Sequence, residues 1–384
     1  MALKFNYYIP TKIVFGKGSL NKLAKLKLPG TKALIVTGGT STTKLGYVDR
    51  VVNLLKERDI ESVVFNKILP NPNHIHVNEG AEIIRKEGCD FIIGIGGGSS
   101  IDSAKAMSMA ATNEGDCWDY ISGKSRMKNK PLPVVAITTT AGTGTETDQW
   151  FVITNEEQNQ KIGWGGDKFY PTLSIVDPDL MMTVPPKYTA YQGFDALFHS
   201  VEGYIAKVAN PMIDMYALKA IELIGKNLPA AVKNGADEDA RAAVALANTL
   251  SGMVEALSSC TSEHSMEHAL SAFHPNLTHG AGLIMISCAY HKHFVPHAED
   301  RYVDMARALG YRDTTDPMDF VRALENLIKE CNVDDLKMSD FGVEKSEIEA
   351  LAENSMETGS DMMRADRVSL SKEDIIKIYE ESYK

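Results

Sequence analysis

The sequence predicts an α/β N-terminal half built on a mostly parallel sheet, followed by an all-helical C-terminal half. Three observations predict it. Short β-branched apolar runs alternate with amphipathic helical patterns up to about residue 177, the pattern of βαβ units. Glycine-rich loops close several of those runs. After Val184-Pro185-Pro186 the β-branched runs nearly vanish and helical periodicity takes over. The boundary is therefore set near Pro185, giving domains 1–185 and 186–384.

The N-terminal segment MALKFNYYIPTKIVFG reads as a strand. It has no long apolar core, so no signal peptide is expected. Further strands are expected at Ala33–Gly39, Ser62–Asn66, Phe91–Ser100, Pro133–Thr140 and Leu173–Asp177. Helical patterns lie between them at Val48–Glu57, Asn78–Glu87 and Ser100–Ala111. The loops Thr37–Ser41, Gly96–Ser99 and Thr138–Thr145 each follow a strand. Sites in open α/β sheets lie at the carboxyl ends of strands, so these loops are expected to share one edge of a Rossmann-like sheet.

In the second half, Asn210-Pro211 pairs an N-cap residue with proline at the first helical position and opens Met212–Leu228. Asp239–Leu257 is rich in alanine and leucine. Asp300–Leu309 ends at Gly310, placed as a C-terminal glycine. Ser371 and Asp374 resemble a capping box for a last helix, Lys372–Ser382.

Composition narrows the function. The 384 residues are 44% apolar and 24% charged, ordinary for a soluble globular chain. The net charge of −11 argues against nucleic acid or an anionic membrane as partner. No apolar run approaches the ~20 residues of a membrane span. The five cysteines are scattered without a CxxC pair, which fits a reduced, cytoplasmic setting.

The chemistry concentrates in two segments. In SEHSMEHALSAFHPNLTHG, His264 and His268 are four apart, so a helix stacks them on one face, and His279 precedes a glycine. In GFDALFHSVEGY, Asp195 and His199 repeat that spacing. Two such pairs plus His279 are what a buried divalent metal site needs, and imidazoles with a carboxylate suit Fe²⁺ or Zn²⁺ rather than Ca²⁺ or Mg²⁺. Upstream, GIGGGSSIDSAKA is a strand, a glycine cluster and a helix start. Gly97, Gly98 and Ser99 there suit a phosphate, although the GxGxxG spacing is absent.

These segments carry a family resemblance. The chain resembles the iron-containing (group III) alcohol dehydrogenases through IPTKIVFGKG, GGGSSIDSAKA, TTTAGTGTET, VDPDL, VPPKYTAYQGFDALFHSVEGY, EHSMEHALSAFHPNLTHGAGL and LSKEDIIKIYEESY. The resemblance implies the two-domain architecture shared with dehydroquinate synthase. It implies reversible hydride transfer between a small primary alcohol or aldehyde and a nicotinamide dinucleotide, the substrate oxygen on Fe²⁺ or Zn²⁺. Its metal ligands fall on Asp195, His199, His264 and His279. His268 falls beside the nicotinamide, as a residue titrating near neutral pH and relaying a proton. The cofactor cleft falls on Asn71, Gly97, Gly98, Ser99, Asp102, Thr139, Thr140, Thr143 and Lys161. Trp150 and Cys260 fall in the substrate pocket. Asp148 stands where a neutral polar residue is common in the family, and Asp366-Arg367-Val368 lacks a proline often found there. Members that prefer NAD commonly carry aspartate where this chain has Gly38. With Gly38, Gly39, Thr40 and Ser41 in that loop, NADP is the expected cofactor and NAD the alternative. The resemblance also implies a homodimer. The rival reading is a dehydroquinate synthase-like lyase, which needs several basic residues around its substrate.

Overall fold

The computed structural model describes residues 4–384. Among the described residues eight strands are formed: β1 (Lys12–Phe15), β2 (Lys32–Gly38), β3 (Glu61–Ile68), β4 (Phe91–Gly96), β5 (Val134–Thr138), β6 (Trp150–Asn155), β7 (Gln160–Gly165) and β8 (Leu173–Val176). Six of them make one parallel sheet in the order β1-β8-β5-β4-β2-β3. Alternate residues of a strand face opposite sides. Leu34, Val36 and Ile92 accordingly enter one core, and Ala33, Ile35 and Ile93 the other. Both faces are apolar because helices cover both.

The helices of this half are α1 (Ser41–Lys44), α2 (Tyr47–Lys56), α3 (His74–Glu87), α4 (Gly98–Ala110) and α5 (Cys117–Ile121). Strands β2, β4 and β5 are neighbours, so the three glycine- and threonine-bearing loops do share one edge. From Pro186 onward the described residues contain helices and no strand. They are α6 (Pro186–Ile205), α7 (Pro211–Lys233), α8 (Glu238–Leu257), α9 (Ser262–Phe273) and α10 (His279–Phe294), with α11 (Glu299–Ala308), α12 (Asp319–Glu330), α13 (Ile348–Thr358), α14 (Ser360–Met363) and α15 (Lys372–Ser382). The fold class is therefore the expected one.

Three expectations need correction. The N-terminal strand is short, beginning only at Lys12, because Pro10 has no N–H for a ladder. Residues 1–3 of that segment lie outside the described residues. Helix α7 does not stop at Leu228 but runs through Pro229 to Lys233. Burial of Leu228, Ala231 and Val232 in the helical core outweighs the cost of an internal proline, about 3 kcal/mol. The antiparallel hairpin β6–β7 was not anticipated. Its signal is the pair of runs WFVIT and QKIGW around a turn in which Asn159 is left-handed, φ 48°. The caps at Asn210 and Ser371–Asp374 form as expected.

The two halves meet where the loop after β5 crosses α8. A Cβ on Gly252 would lie 2.1 Å from the carbonyl oxygen of Gly144, so only glycine allows the approach. Beside it Glu146 Oε1 accepts from Asn248 Nδ2 at 2.9 Å and Thr249 Oγ1 at 3.1 Å, while Oε2 is buried without a partner. Burial pushes this carboxyl up to about 7, against the opposing hydrogen bonds. A raised carboxyl pKa contributes stability below its unfolded value and loses it as pH climbs through the folded one. The Glu146→Gln variant is expected to remove that loss. Its unfolding free energy, relative to the parent protein, should rise by on the order of 3 kcal/mol between pH 4.5 and 8, as measured by urea titration at several pH values.

Candidate metal centre and cofactor cleft

Helix α6 presents Asp195, His199 and Glu202 on successive turns. Helix α9 presents His264, Glu267 and His268, and α10 begins at His279. Packing of α9 and α10 against one another, and of α10 against α6, brings these faces together. Asp195 Oδ1 lies 3.6 Å from His199 Nδ1, 3.7 Å from His264 Nε2 and 3.5 Å from His279 Nε2. A tetrahedral ion with arms of about 2.0–2.1 Å separates its ligands by ~3.4 Å. Asp195 Oδ1 and His264 Nε2 are buried without any hydrogen-bond partner. Unpaired buried polar atoms at this spacing fit a divalent cation.

The outer partners are as telling. His264 Nδ1 donates to Glu202, and His279 Nδ1 to Glu267. Glu202 Oε2 also accepts from the backbone and hydroxyl of Thr261, at 2.6 and 2.8 Å. Such carboxylate–imidazole pairs fix the ring so that Nε2 faces the ion. Neither glutamate was anticipated. The available signal was their position on the same helical face as the histidines.

Electrostatics agree. Burial raises the Asp195 carboxyl, but His199, His279 and His264 outweigh it and bring it down to about 2. Burial opposes charge on His264, yet the Glu202 carboxylate against its Nδ1 holds it well above the usual range, a proton that a bound ion would displace. His268 goes the other way. Burial and then the cation of Lys161 push it well below its usual value. It is therefore a neutral imidazole at pH 7, with Nδ1 buried and unpartnered, rather than a group titrating near neutrality.

One cavity of about 320 Å³ adjoins this cluster. His199, His264, His268 and His279 line it together with Asn71, Gly98, Ser99, Asp102, Thr143, Lys161, Trp150 and Cys260. Gly97, Thr139 and Thr140 stand just outside the lining, Thr139 donating its N–H to Gly96 at 2.9 Å. Gly38, Gly39, Thr40 and Ser41 close the neighbouring strand β2 and open α1, outside this cavity. Lys161 reaches the metal cluster rather than only the cleft: its Nζ is 3.2 Å from Glu267 and 2.8 Å from Ser271 Oγ. Burial raises the Cys260 thiol, so it lines the wall as a neutral group.

The two departures noted in the sequence find their partners. Asp148 pairs with the fully buried Lys105 at 3.0 Å, and Lys105 also reaches Thr145 Oγ1 and the Trp150 carbonyl. Asp366 accepts from the Ser262 N–H at 3.1 Å behind the metal cluster. Asp102, raised to about 6 by burial against Lys105, accepts from Thr145 Oγ1 and the Val152 N–H.

Residues 10–178 match the family described as iron-containing alcohol dehydrogenase, and residues 189–383 its C-terminal counterpart. The chain belongs to the iron-containing alcohol dehydrogenase family. Among relatives, a choline dehydrogenase of Bacillus subtilis is 41% identical over 282 residues, 72% of this chain and 70% of that protein. An NAD-dependent methanol dehydrogenase of Bacillus methanolicus is 34% identical, covering 92% and 93% of the two. An archaeal halo-thermophilic alcohol dehydrogenase from a Red Sea brine pool superposes with a TM-score of 0.95 at 34% identity, covering all of both chains. The family is thus shared with proteins acting on different alcohols.

Glu202→Gln and Glu267→Gln each leave a ligand ring without its orienting carboxylate. Each is expected to weaken metal retention by about 10–100-fold in a chelator competition, with an unchanged far-UV spectrum.

Proposed function

We propose that the protein is a metal-dependent alcohol dehydrogenase and aldehyde reductase, working between a small primary alcohol or its aldehyde and NADP(H). The observation that carries this reading is the pair of unpartnered buried atoms, Asp195 Oδ1 and His264 Nε2, beside the cavity that Gly98 and Ser99 also line. Asp195, His199, His264 and His279 would hold Fe²⁺ or Zn²⁺, for which imidazole and carboxylate are suited ligands. A divalent ion held there supplies a Lewis acid for the substrate oxygen, and the nicotinamide supplies the hydride acceptor.

The chain's own residues do the rest. Gly97, Gly98 and Ser99 open α4, whose free N–H groups and positive end suit the cofactor's pyrophosphate. Asn71, Asp102, Thr139, Thr140, Thr143 and Lys161 shape the remainder of the cleft. Neutral His268 offers Nδ1 as the acceptor for the alcohol proton. Trp150 and Cys260 bound the space for the substrate. The relatives' names include a neutral alcohol, methanol, and a cationic one, choline, so they leave the alcohol open. We read the chain as two domains, 1–185 and 186–384, and as a cytoplasmic homodimer, in keeping with five cysteines that form no disulfide.

A lyase resembling dehydroquinate synthase finds little support. Among the described residues, Lys161 is the one lysine or arginine lining the cavity, and Glu267 already engages it.

His264→Ala is expected to lose bound metal and at least about 100-fold of kcat while keeping its far-UV spectrum. Full metal and full turnover in that variant would refute the ligand set.

For the cofactor, what supports NADP is the stretch Thr37–Thr43, which holds no carboxylate to repel a 2′-phosphate. An aspartate placed at Gly38 would not test this, since its Cβ would meet the Ile68 carbonyl oxygen at 2.1 Å. Gly39 has open space and φ 63°, which aspartate tolerates. We expect kcat/KM with NADPH to exceed that with NADH by at least about tenfold, ~1.4 kcal/mol, and Gly39→Asp to reverse the order. Equal efficiency with both cofactors would refute the NADP preference.

A further inference from the structure

The cavity wall beyond the metal cluster is lined by several carboxylates. Asp102, Asp148, Glu255 and Asp361 line it, against the single cation Lys161. Lys161 is held by Glu267, Asp148 by Lys105 and Asp361 by Arg364, while Asp102 accepts from Thr145 Oγ1 and the Val152 N–H. Glu255 has no such partner. Among the described residues, no lysine or arginine comes within 4.0 Å of it. Its nearest basic atom is His199 Nε2, 3.7 Å from Oε2, and the Cys260 thiol lies 3.8 Å from Oε1.

Folding does not explain this carboxylate. Glu255 stands in the last turn of α8, where the negative end of the helix disfavours an anion. Its side chain is only 17% exposed, so water screens it poorly. Trp150 and Trp164 line the same cavity, and indole faces attract ammonium groups. The same His199 lies 3.6 Å through its Nδ1 from Asp195 Oδ1, which like His264 Nε2 is buried without any partner. The cavity therefore offers one end for a hydroxyl and, one side chain removed, another for a cation.

We propose that the preferred substrate is a small amino alcohol, its primary hydroxyl two or three carbons from an ammonium group, with Glu255 facing the cation and Trp150 packed beside it. This rests on the alcohol dehydrogenase reading above. The chemical step is unchanged. The carbinol carbon gives a hydride to the oxidised nicotinamide, the hydroxyl gives up its proton, and an aldehyde forms. The ammonium group takes no part in the reaction and serves only for recognition.

The test compares choline with 3,3-dimethylbutan-1-ol, which has the same shape with carbon in place of nitrogen, using the metal-loaded protein and its oxidised cofactor. The expected result is a kcat/KM at least tenfold higher for choline. The ratio should collapse to within about threefold in Glu255→Gln and survive in part in Glu255→Asp, which keeps the charge. A wild-type ratio at or below one overturns the proposal and leaves the alcohol dehydrogenase reading standing. If neither compound nor a panel of plain primary alcohols is oxidised, that underlying reading falls instead. Calorimetry then decides the cation site. Choline binding tenfold tighter than its isostere supports it, and equal binding overturns it.

Discussion

The structure turns on negative charge buried among histidines. Glu202 and Glu267 are wholly removed from water, and Asp195 nearly so. Each buried carboxylate costs several kcal/mol unless cations or hydrogen bonds compensate it. Here the compensation is spread over three helices and one strand. Glu202 on α6 takes the His264 ring and the start of α9. Glu267 on α9 takes the first ring of α10 and Lys161 from β7. None of these elements can shift by a turn without stranding a charge, so the same pairs that orient the rings also fix the helix register.

A similar logic joins the halves. The loop after β5 lies against α8 so closely that backbone meets backbone at Gly144 and Gly252. Glu146 then closes the seam by accepting from two side chains of α8. The glycine loop of the sheet and the histidines of the helices thus face one cavity across a seam with little freedom to slide.

Much of this was legible in the sequence, for a physical reason. Asp195, His199, His264 and His268 announce themselves because helical periodicity converts a spacing of four into a shared face. Three loops at strand ends announce themselves because a parallel sheet puts all its carboxyl ends on one edge. What escaped was whatever depends on contacts distant in sequence. Glu202 and Glu267 look like any polar helix residues until the ring each one holds is in place. Lys161 was placed in the cleft by the family resemblance, but its reach to Glu267 depends on a hairpin, β6–β7, that the sequence reading did not register. Asp148 looked anomalous only because Lys105, 43 positions away, was not yet beside it. Pro229 misled because its local cost is outweighed by burial that the local pattern does not reveal.

That hairpin has a consequence for how the site can change. Its first residue, Trp150, lines the cavity beside the histidines, and Lys161 on the returning strand holds the carboxylate paired with His279. The cavity wall and the outer partner of His279 are thereby carried by one 16-residue unit. Its tip, Glu156–Gln158 with the left-handed Asn159, carries neither task. Lengthening or exchanging that tip leaves both strands in register, whereas transplanting the strands as a block moves both properties at once. Evolution, or a protein engineer, meets the hairpin as a single cassette with a tolerant end and a constrained one.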